Sequence, residues 1–178
     1  MKKIVFLLGV LLSLGMFCAC SSDDEDERVK NESSEEVIIN PVVVVDGYED
    51  ISSFFNSELH LTTDTYGFFV GFNFDESVCQ IIHSRKELQD IYSGDKELPD
   101  INFQQNSLIV GKEVFPHLLY KLEKKELVFE KGRLLLNLYV SEPKDRYYPA
   151  ALLRVYYWGL YPKVEANEVS VNVIEVEE

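Results

Sequence analysis

The spacing of apolar residues between residues 37 and 178 predicts a mixture of strands and short helices. The four β-branched residues Val42–Val45 indicate a short strand, and the aromatic run Gly67–Phe74 indicates another. Between these runs, apolar residues recur at helical spacing behind Asp50, which is a suitable N-cap for a brief helix. The apolar positions of that helix are Ile51, Phe54, Phe55 and Leu59.

A local capping signal predicts a second helix. Ser84 and Glu87 stand three residues apart, as in a capping box, where the serine oxygen accepts a hydrogen bond from the backbone of the glutamate. The strand-like run Val78–Ile82 precedes this helix, and Gly94 marks the region of its end. We therefore expect a strand, a tight entry and a short helix in succession.

Beyond residue 106 the pattern is that of consecutive strands. These segments are Ser107–Phe115, Leu118–Glu123, Leu127–Phe129, Leu134–Val140, Ala150–Leu160 and Val169–Val176. Gly132, within Glu130–Arg133, fits the hairpin-turn position that needs a positive φ. Because short links favour antiparallel pairing, we predict an α+β fold: an antiparallel sheet or half-barrel with one or two short helices packed on it. Residues 37–178 are expected to form this single domain.

The first residues follow the pattern of an export signal. Lys2 and Lys3 precede an apolar run, Ile4–Phe17, that is about 14 residues long. A membrane-spanning helix needs about 20 such residues. We therefore predict that residues 1–19 are a signal peptide.

The stretch Phe17-Cys18-Ala19-Cys20 resembles the cleavage box of bacterial lipoproteins. The resemblance implies that Cys20 is acylated and holds the protein to a lipid bilayer, here the outer membrane. Such lipoproteins carry several acyl chains, and more than one chain gives stable anchoring. The alternative is an ordinary signal peptide cut after Ala19, which would leave Cys20 as a free thiol.

An acidic segment follows the cysteine. Residues 20–36 contain eight acids, two bases and one large apolar side chain, Val29, so we expect a disordered tether. The segment starts with Ser22, Asp23, Asp24, Glu25 and Asp26. This start resembles the export tag of Bacteroidetes surface lipoproteins, which implies display on the cell exterior. The alternative is a solvated spacer on a lipoprotein that faces the periplasm.

The charge of the chain excludes some partners. The full sequence carries a net charge of −14, and loss of Lys2 and Lys3 with the signal takes it to −16. Nucleic acid requires a basic face, and electrostatic docking on anionic lipid requires clustered bases. We therefore expect no nucleic-acid partner.

The residues that usually carry chemistry are few. Cys79 lies in a strand-like run, and we interpret it as a small buried hydrophobe. The histidines, His60, His83 and His117, do not have the spacing of a metal motif. Nucleophile and phosphate-loop motifs are likewise missing from the sequence. We expect no catalytic residue, metal or cofactor, and the chain is not interpreted as an enzyme.

Aromatic residues are the remaining candidates for binding. Tyr147 and Tyr148 fall in a predicted loop, and Trp158 follows on the next strand. Exposed aromatic faces bind sugar rings or protein partners. Tyr156 and Trp158 share one face of that strand, and Tyr157 takes the other. The alternative is that Tyr156, Tyr157 and Trp158 are packing residues.

Six short stretches of the folded part carry a resemblance to a known group: Phe54–Leu59, Phe68–Gly71, Gly94–Pro99, Ile101–Phe103, Leu108–Gly111 and Tyr156–Lys163. They resemble stretches of uncharacterised Bacteroidales lipoproteins. The order of elements is also similar to that of the PrcB-type domain. These resemblances imply a compartment and a fold type, and bring no reaction and no catalytic residues.

Three functional hypotheses follow. The first is an outer-membrane-anchored, surface-exposed, non-catalytic module that binds a glycan or a protein through the aromatic rim. The second, which the PrcB-type resemblance implies, is an inhibitor or accessory subunit of an envelope protease or other envelope enzyme. The third is a hydrolase.

Overall fold

The computed structural model describes residues 36–59, 68–72, 76–142 and 151–177. Within these ranges the chain forms two helices and seven strands, which confirms the predicted α+β fold. The helices are α1 (Tyr48–Glu58) and α2 (Arg85–Ile91). The strands are β1 (Val37–Ile39), β2 (Val78–Ile82), β3 (Asn106–Phe115), β4 (Lys121–Glu130), β5 (Arg133–Ser141), β6 (Leu153–Pro162) and β7 (Ser170–Val176).

The strands are divided between two sheets. The four-stranded sheet has the order β1-β4-β5-β7, and the three-stranded sheet has the order β2-β3-β6. All pairs are antiparallel except β5 and β7, which run parallel. The exception has a topological cause. Between β5 and β7 the chain forms β6 in the other sheet, so β7 enters the first sheet beside β5 and runs in the same direction.

The three-stranded sheet is buried on both faces. One face packs with α1 and α2 around a cluster that includes Phe55, Leu88 and Leu108. The other face packs against the four-stranded sheet through Ile109, Tyr157 and their neighbours. The order of layers is therefore four-stranded sheet, three-stranded sheet, helices. This burial explains why seven consecutive residues at the start of β3 are buried, without the alternation of a half-exposed strand.

The cap at the start of α2 and the turn between β4 and β5 were predicted correctly, whereas α2 ends at Ile91 with Tyr92 as its C-cap and not at Gly94. Ser84 Oγ accepts a hydrogen bond of 3.2 Å from Glu87 N at the start of α2. The Glu87 carboxylate reaches back to His83 N at 2.6 Å, one residue earlier than a capping box predicts. The β4–β5 hairpin turns through Lys131 and Gly132, which both have positive φ, as in a type I′ turn.

The strand predicted over Val42–Val45 is wrong. The first strand is β1, which pairs with β4, and the valine run only passes the edge of β6 through a bond from Val42 N to Leu160 O. Val44 is consequently 91% exposed. The predicted cap of α1 is also wrong, because left-handed Gly47 occupies the N-cap and Asp50 lies in the first turn.

Two further strand predictions need correction. Residues 68–72, the described part of the predicted Gly67–Phe74 strand, form a turn held by one bridge from Phe69 to Tyr92. Leu118 is exposed and precedes the strand predicted to contain it; β4 begins at Lys121 and continues to Glu130. A bulge between Leu122 and Lys124 shifts its alternation, which explains why the sequence suggested two strands.

Candidate functional site

The outer edge of β2 is the candidate site. β2 is an edge strand of the three-stranded sheet, paired only with β3 in the described part of the chain. The far edge of this sheet, β6, is covered: Leu160 O accepts from Val42 N, and Trp158 O accepts from Lys125 Nζ. In the described part of the chain, the β6 edge of the sheet is therefore hydrogen-bonded to other segments, whereas the β2 edge is open.

The covered edge also fixes the direction of the backbone groups in β2. Because the Trp158 and Leu160 carbonyls point away from β3, their partners Val110 and Leu108 direct their backbone groups towards β2. Val110 is paired with Gln80, so Gln80 bonds to β3. It follows that the backbone N–H and C=O groups of Cys79 and Ile81 point outward from the sheet.

A groove runs along this edge. It has a volume of about 620 Å³ and lies between β2, α2 and the segment that leads into β7. Ile91 of α2 and Val169 of the β7 segment contribute apolar surface on its two sides. The groove therefore combines outward-directed backbone groups with apolar walls, as in sites that accept an added strand.

His83 positions one wall of the groove. Its Nε2 lies 2.9 Å from Ala166 O, and its Nδ1 lies 3.1 Å from Ser107 Oγ. Because a carbonyl can only accept, Nε2 donates its proton to Ala166 O. Val164 N also donates to Ser107 Oγ, at 3.2 Å. These bonds fasten the segment before β7 to β2 and β3.

The groove is acidic at its rims. Glu87 and Asp90 lie on the α2 side, and Glu168 lies on the β7 side; all three are exposed. Lysine and arginine do not occur among the described residues that line it. The nearby Lys163 instead directs Nζ to the carbonyls of His83 and Phe103, at 3.3 Å and 3.1 Å. The electrostatic potential of the groove therefore favours a cation.

A second, wider cavity of about 1190 Å³ lies between residues 43–51 and the loop 100–106. Its mouth carries four carboxylates, Asp46, Glu49, Asp50 and Asp100. Within the described ranges, no group of histidine, cysteine and acidic residues has the arrangement needed to hold a metal ion.

The aromatic residues predicted for binding are placed as follows. Tyr147 and Tyr148 lie outside the described residues. Trp158 is half-buried; its ring stacks on Phe55 at 5.1 Å, and Nε1 donates to Asn56 Oδ1 at 3.0 Å. Tyr156 packs on the same side as Trp158, as predicted.

Tyr157 lies on the opposite side of β6, within the core between the sheets. Its ring occupies the space above Gly111 of β3, where a Cβ atom would be 2.3 Å away. Cys79 lies at the margin of the same core, and burial raises the pKa of its thiol to about 11. A thiol with a pKa this high is a weak nucleophile at neutral pH.

The other sequence-predicted residues are not brought to the groove. His117 lies 2.9 Å from Glu142 and stacks on Tyr120, and it is not among the residues that line the groove. His60, Cys20 and the tag residues Ser22, Asp23, Asp24, Glu25 and Asp26 lie outside the described residues, as do the whole predicted signal peptide and residues 20–35 of the tether.

Sequence reasoning missed the groove itself. The run Val78–Ile82 was correctly predicted as a strand, but its position at an edge depends on which strands pair, and the sequence does not contain that information. The available signal was the pair of acids Glu87 and Asp90 within α2, the helix that follows β2 in the chain.

Comparison with protein-family models, with curated proteins and with solved structures finds no significant match. Neither α1 nor α2, nor any other helix in the described ranges, is long and apolar enough to cross a bilayer.

Proposed function

We propose that this chain is a lipoprotein anchored in the outer membrane through acylated Cys20, facing the cell exterior, whose folded domain is a non-catalytic module that binds another protein. The observation that carries the binding role is the open edge of β2 at the floor of a groove. An unpaired strand edge is a template for one further strand from a partner.

The anchoring role depends on the resemblance of Phe17–Cys20 to a lipoprotein box. The acidic residues after Cys20 support outward display, by their resemblance to a surface export tag. A long polar tether would hold the domain away from the lipid surface, and the groove would then be accessible to other envelope polypeptides.

A protein partner is favoured over a glycan. A sugar-binding platform needs an open aromatic face, and the Trp158 ring stacks on Phe55 while Nε1 bonds to Asn56. The β2 edge instead offers backbone donors and acceptors in a row, which is what an extended polypeptide recognises.

The second candidate is an inhibitor or accessory subunit of an envelope protease or other envelope enzyme. The same edge favours this candidate. β2 can form a strand pair with an extended segment of an enzyme as well as with a segment of a protein that has no enzymatic activity. The two candidates differ in whether binding changes an enzyme's activity.

Site-specific photo-crosslinking in native cells tests the proposal. A photoreactive residue at Asn167, an exposed position on the groove rim, is expected to capture a protein, whereas one at Asn172, exposed on the outer face of the four-stranded sheet, is expected not to. Equal capture at both positions would contradict binding at the groove. Cys20→Ser is expected to release the chain from the membrane fraction; retention of this variant there would contradict the anchor.

A further inference from the structure

We propose that the groove beside β2 binds an extended, lysine- or arginine-bearing segment of a partner protein, which adds to the three-stranded sheet as a fourth strand. This inference rests on the proposed binding function and specifies the chemistry of the partner. It is carried by the direction of the backbone groups in β2, by the limits of the open edge and by the charge on both sides of the groove.

The backbone of β2 provides the docking contacts. Cys79 and Ile81 direct their N–H and C=O groups out of the sheet, whereas Gln80 bonds to β3. An added strand would pair with these four groups at the spacing of two residues that a ladder requires. Lys163 and Glu87 already bond to the backbone of His83, so the open edge ends there.

The length of the edge limits the segment. β2 has five residues, Val78–Ile82, which extend over about 16 Å at the usual rise of a strand. At its other end, Ser77 is engaged with Glu113 and with Val114 N of β3. A partner segment of about five extended residues therefore fills the edge.

The charge on both sides of the groove selects a basic segment. Side chains of an added strand alternate between the α2 side and the β7 side. One set would approach Glu87 and Asp90, and the other would approach Glu168. Lysine or arginine can thus meet a carboxylate at either set of positions, whereas an acidic side chain would meet a like charge.

The same charges disfavour two occupants that are always present. The chain's own residues 20–36 carry eight acids and two bases, a net charge of −6. A second copy that paired its β2 edge would bring the same three acids against the first set. Charged residues on an edge commonly prevent this kind of self-association.

Synthetic heptapeptides test the proposal on the mature chain, Cys20–Glu178, extracted in detergent. The first peptide alternates valine and lysine, the second alternates valine and glutamate, and the third is the lysine peptide with an N-methyl group on every backbone amide, so that neither of its edges can donate to β2. We expect the lysine peptide to bind, and both other peptides to bind at least tenfold more weakly. Equal binding of the methylated peptide would overturn strand addition, and equal binding of the glutamate peptide would overturn the selection by charge.

Matched variants locate the site. The triple variant Glu87→Gln, Asp90→Asn and Glu168→Gln is expected to bind the lysine peptide at least tenfold more weakly, and Gln at position 87 keeps a group that can bond to His83 N. The control variant Asp46→Asn, Glu49→Gln and Asp100→Asn removes the same charge at the second cavity and is expected to change affinity less than twofold. An equal loss in both variants would overturn the assignment to this groove.

Hydrogen exchange separates this inference from the proposed function. The amides of Cys79 and Ile81 are expected to become protected when the lysine peptide binds, whereas that of Gln80 is already bonded to β3. If photo-crosslinking at Asn167 captures a protein but the lysine peptide neither binds nor protects these amides, the partner is not a basic segment and the binding role stands. If both experiments fail, the groove is not a binding site.

Discussion

The Tyr92 phenol donates a 2.8 Å hydrogen bond to the buried carboxylate of Glu58, which is only 4% exposed. Lys96 Nζ lies 2.7 Å from the other oxygen of that carboxylate. Glu58 is the last residue of α1, and Tyr92 directly follows α2, so the network fastens the two helices to each other. Since α2 forms one side of the groove, this network also fixes the groove's position.

Replacing the buried charge tests this network. Burial alone would raise the pKa of Glu58, but hydrogen bonds from Lys96 and Tyr92 outweigh it and hold the pKa below its ordinary value of 4.5. We expect Glu58→Gln to lower the free energy of unfolding at pH 7 by about 1–3 kcal/mol, because Lys96 loses its anion. The Glu58 charge stabilises the folded state fully above pH 4.5, the ordinary pKa of the group. This stabilisation is lost as the pH falls through the pKa of Glu58 in the folded protein, which is lower.

Urea denaturation at pH 7 and pH 3 measures this difference. The difference in the free energy of unfolding between wild type and Glu58→Gln should be smaller at pH 3 than at pH 7. The control is Glu49→Gln, because Glu49 is an exposed acid in the first turn of α1. Its free energy of unfolding should differ little from that of wild type at both pH 7 and pH 3. A gap for Glu58→Gln that does not change with pH would contradict the assigned role of the charge.

Tyrosine ionisation should destabilise the fold at high pH. Burial, followed by the bond to Glu58, raises the pKa of Tyr92 from 10 to about 12, and burial raises that of Tyr161 to about 12. Above pH 10 the unfolded chain loses these protons while the folded chain keeps them, so the free energy of unfolding falls as the pH rises towards 12. Absorbance titration should show phenols that ionise late, with one fewer in Tyr92→Phe. A full set of phenols that ionise near pH 10 in the folded protein would refute this prediction.

Sequence analysis succeeded at two sites where neighbouring residues determine the geometry. The Ser84 cap and the turn at Lys131 and Gly132 depend on side chains and dihedral angles within four residues, and both were predicted. The strand over Val42–Val45 failed because β-propensity does not supply a partner strand: those valines meet β6 through one hydrogen bond. The strand predicted around Phe69 failed for the same reason, and its described part forms a turn.

The candidate site was less predictable than the fold. The sequence predicted β2 as a strand, but an open edge exists only after seven strands have been divided between two sheets. The faces of β6 were predicted correctly from alternation. The sequence did not indicate that both faces are covered, and this coverage places Tyr157 and Trp158 in packing contacts.

Gly111 is predicted to be essential for the packing between the sheets. An alanine Cβ there would lie 2.3 Å from the Tyr157 ring, which is buried and has no solvent space to enter. We expect Gly111→Ala to lower the free energy of unfolding by about 1–3 kcal/mol. Tyr157→Leu should offset part of that loss in the double variant, because the clash is removed.

Gly132→Ala is the matched control for Gly111→Ala. A Cβ at Gly132 meets no atom within 4 Å, so its effect comes only from the positive φ of 77°. Denaturation of each glycine variant with and without Tyr157→Leu gives two coupling energies. Coupling at Gly111 and none at Gly132 is the expected result; absence of coupling at Gly111 would show that the ring adapts.

The last prediction concerns the segment before β7, which forms one wall of the groove and is contacted by both ring nitrogens of His83 or by their partners. In His83→Gln the side-chain amide nitrogen can replace Nε2 and still donate to Ala166 O, whereas in His83→Asn the shorter amide can replace only Nδ1 at Ser107. We therefore expect amide exchange over residues 164–170 to accelerate much more in His83→Asn than in His83→Gln. Capture by a photoreactive residue at Asn167 should fall in the same order. Equal exchange in the two variants would mean that the bond to Ala166 does not hold the wall, and that Val164 N and Ser107 suffice to position it.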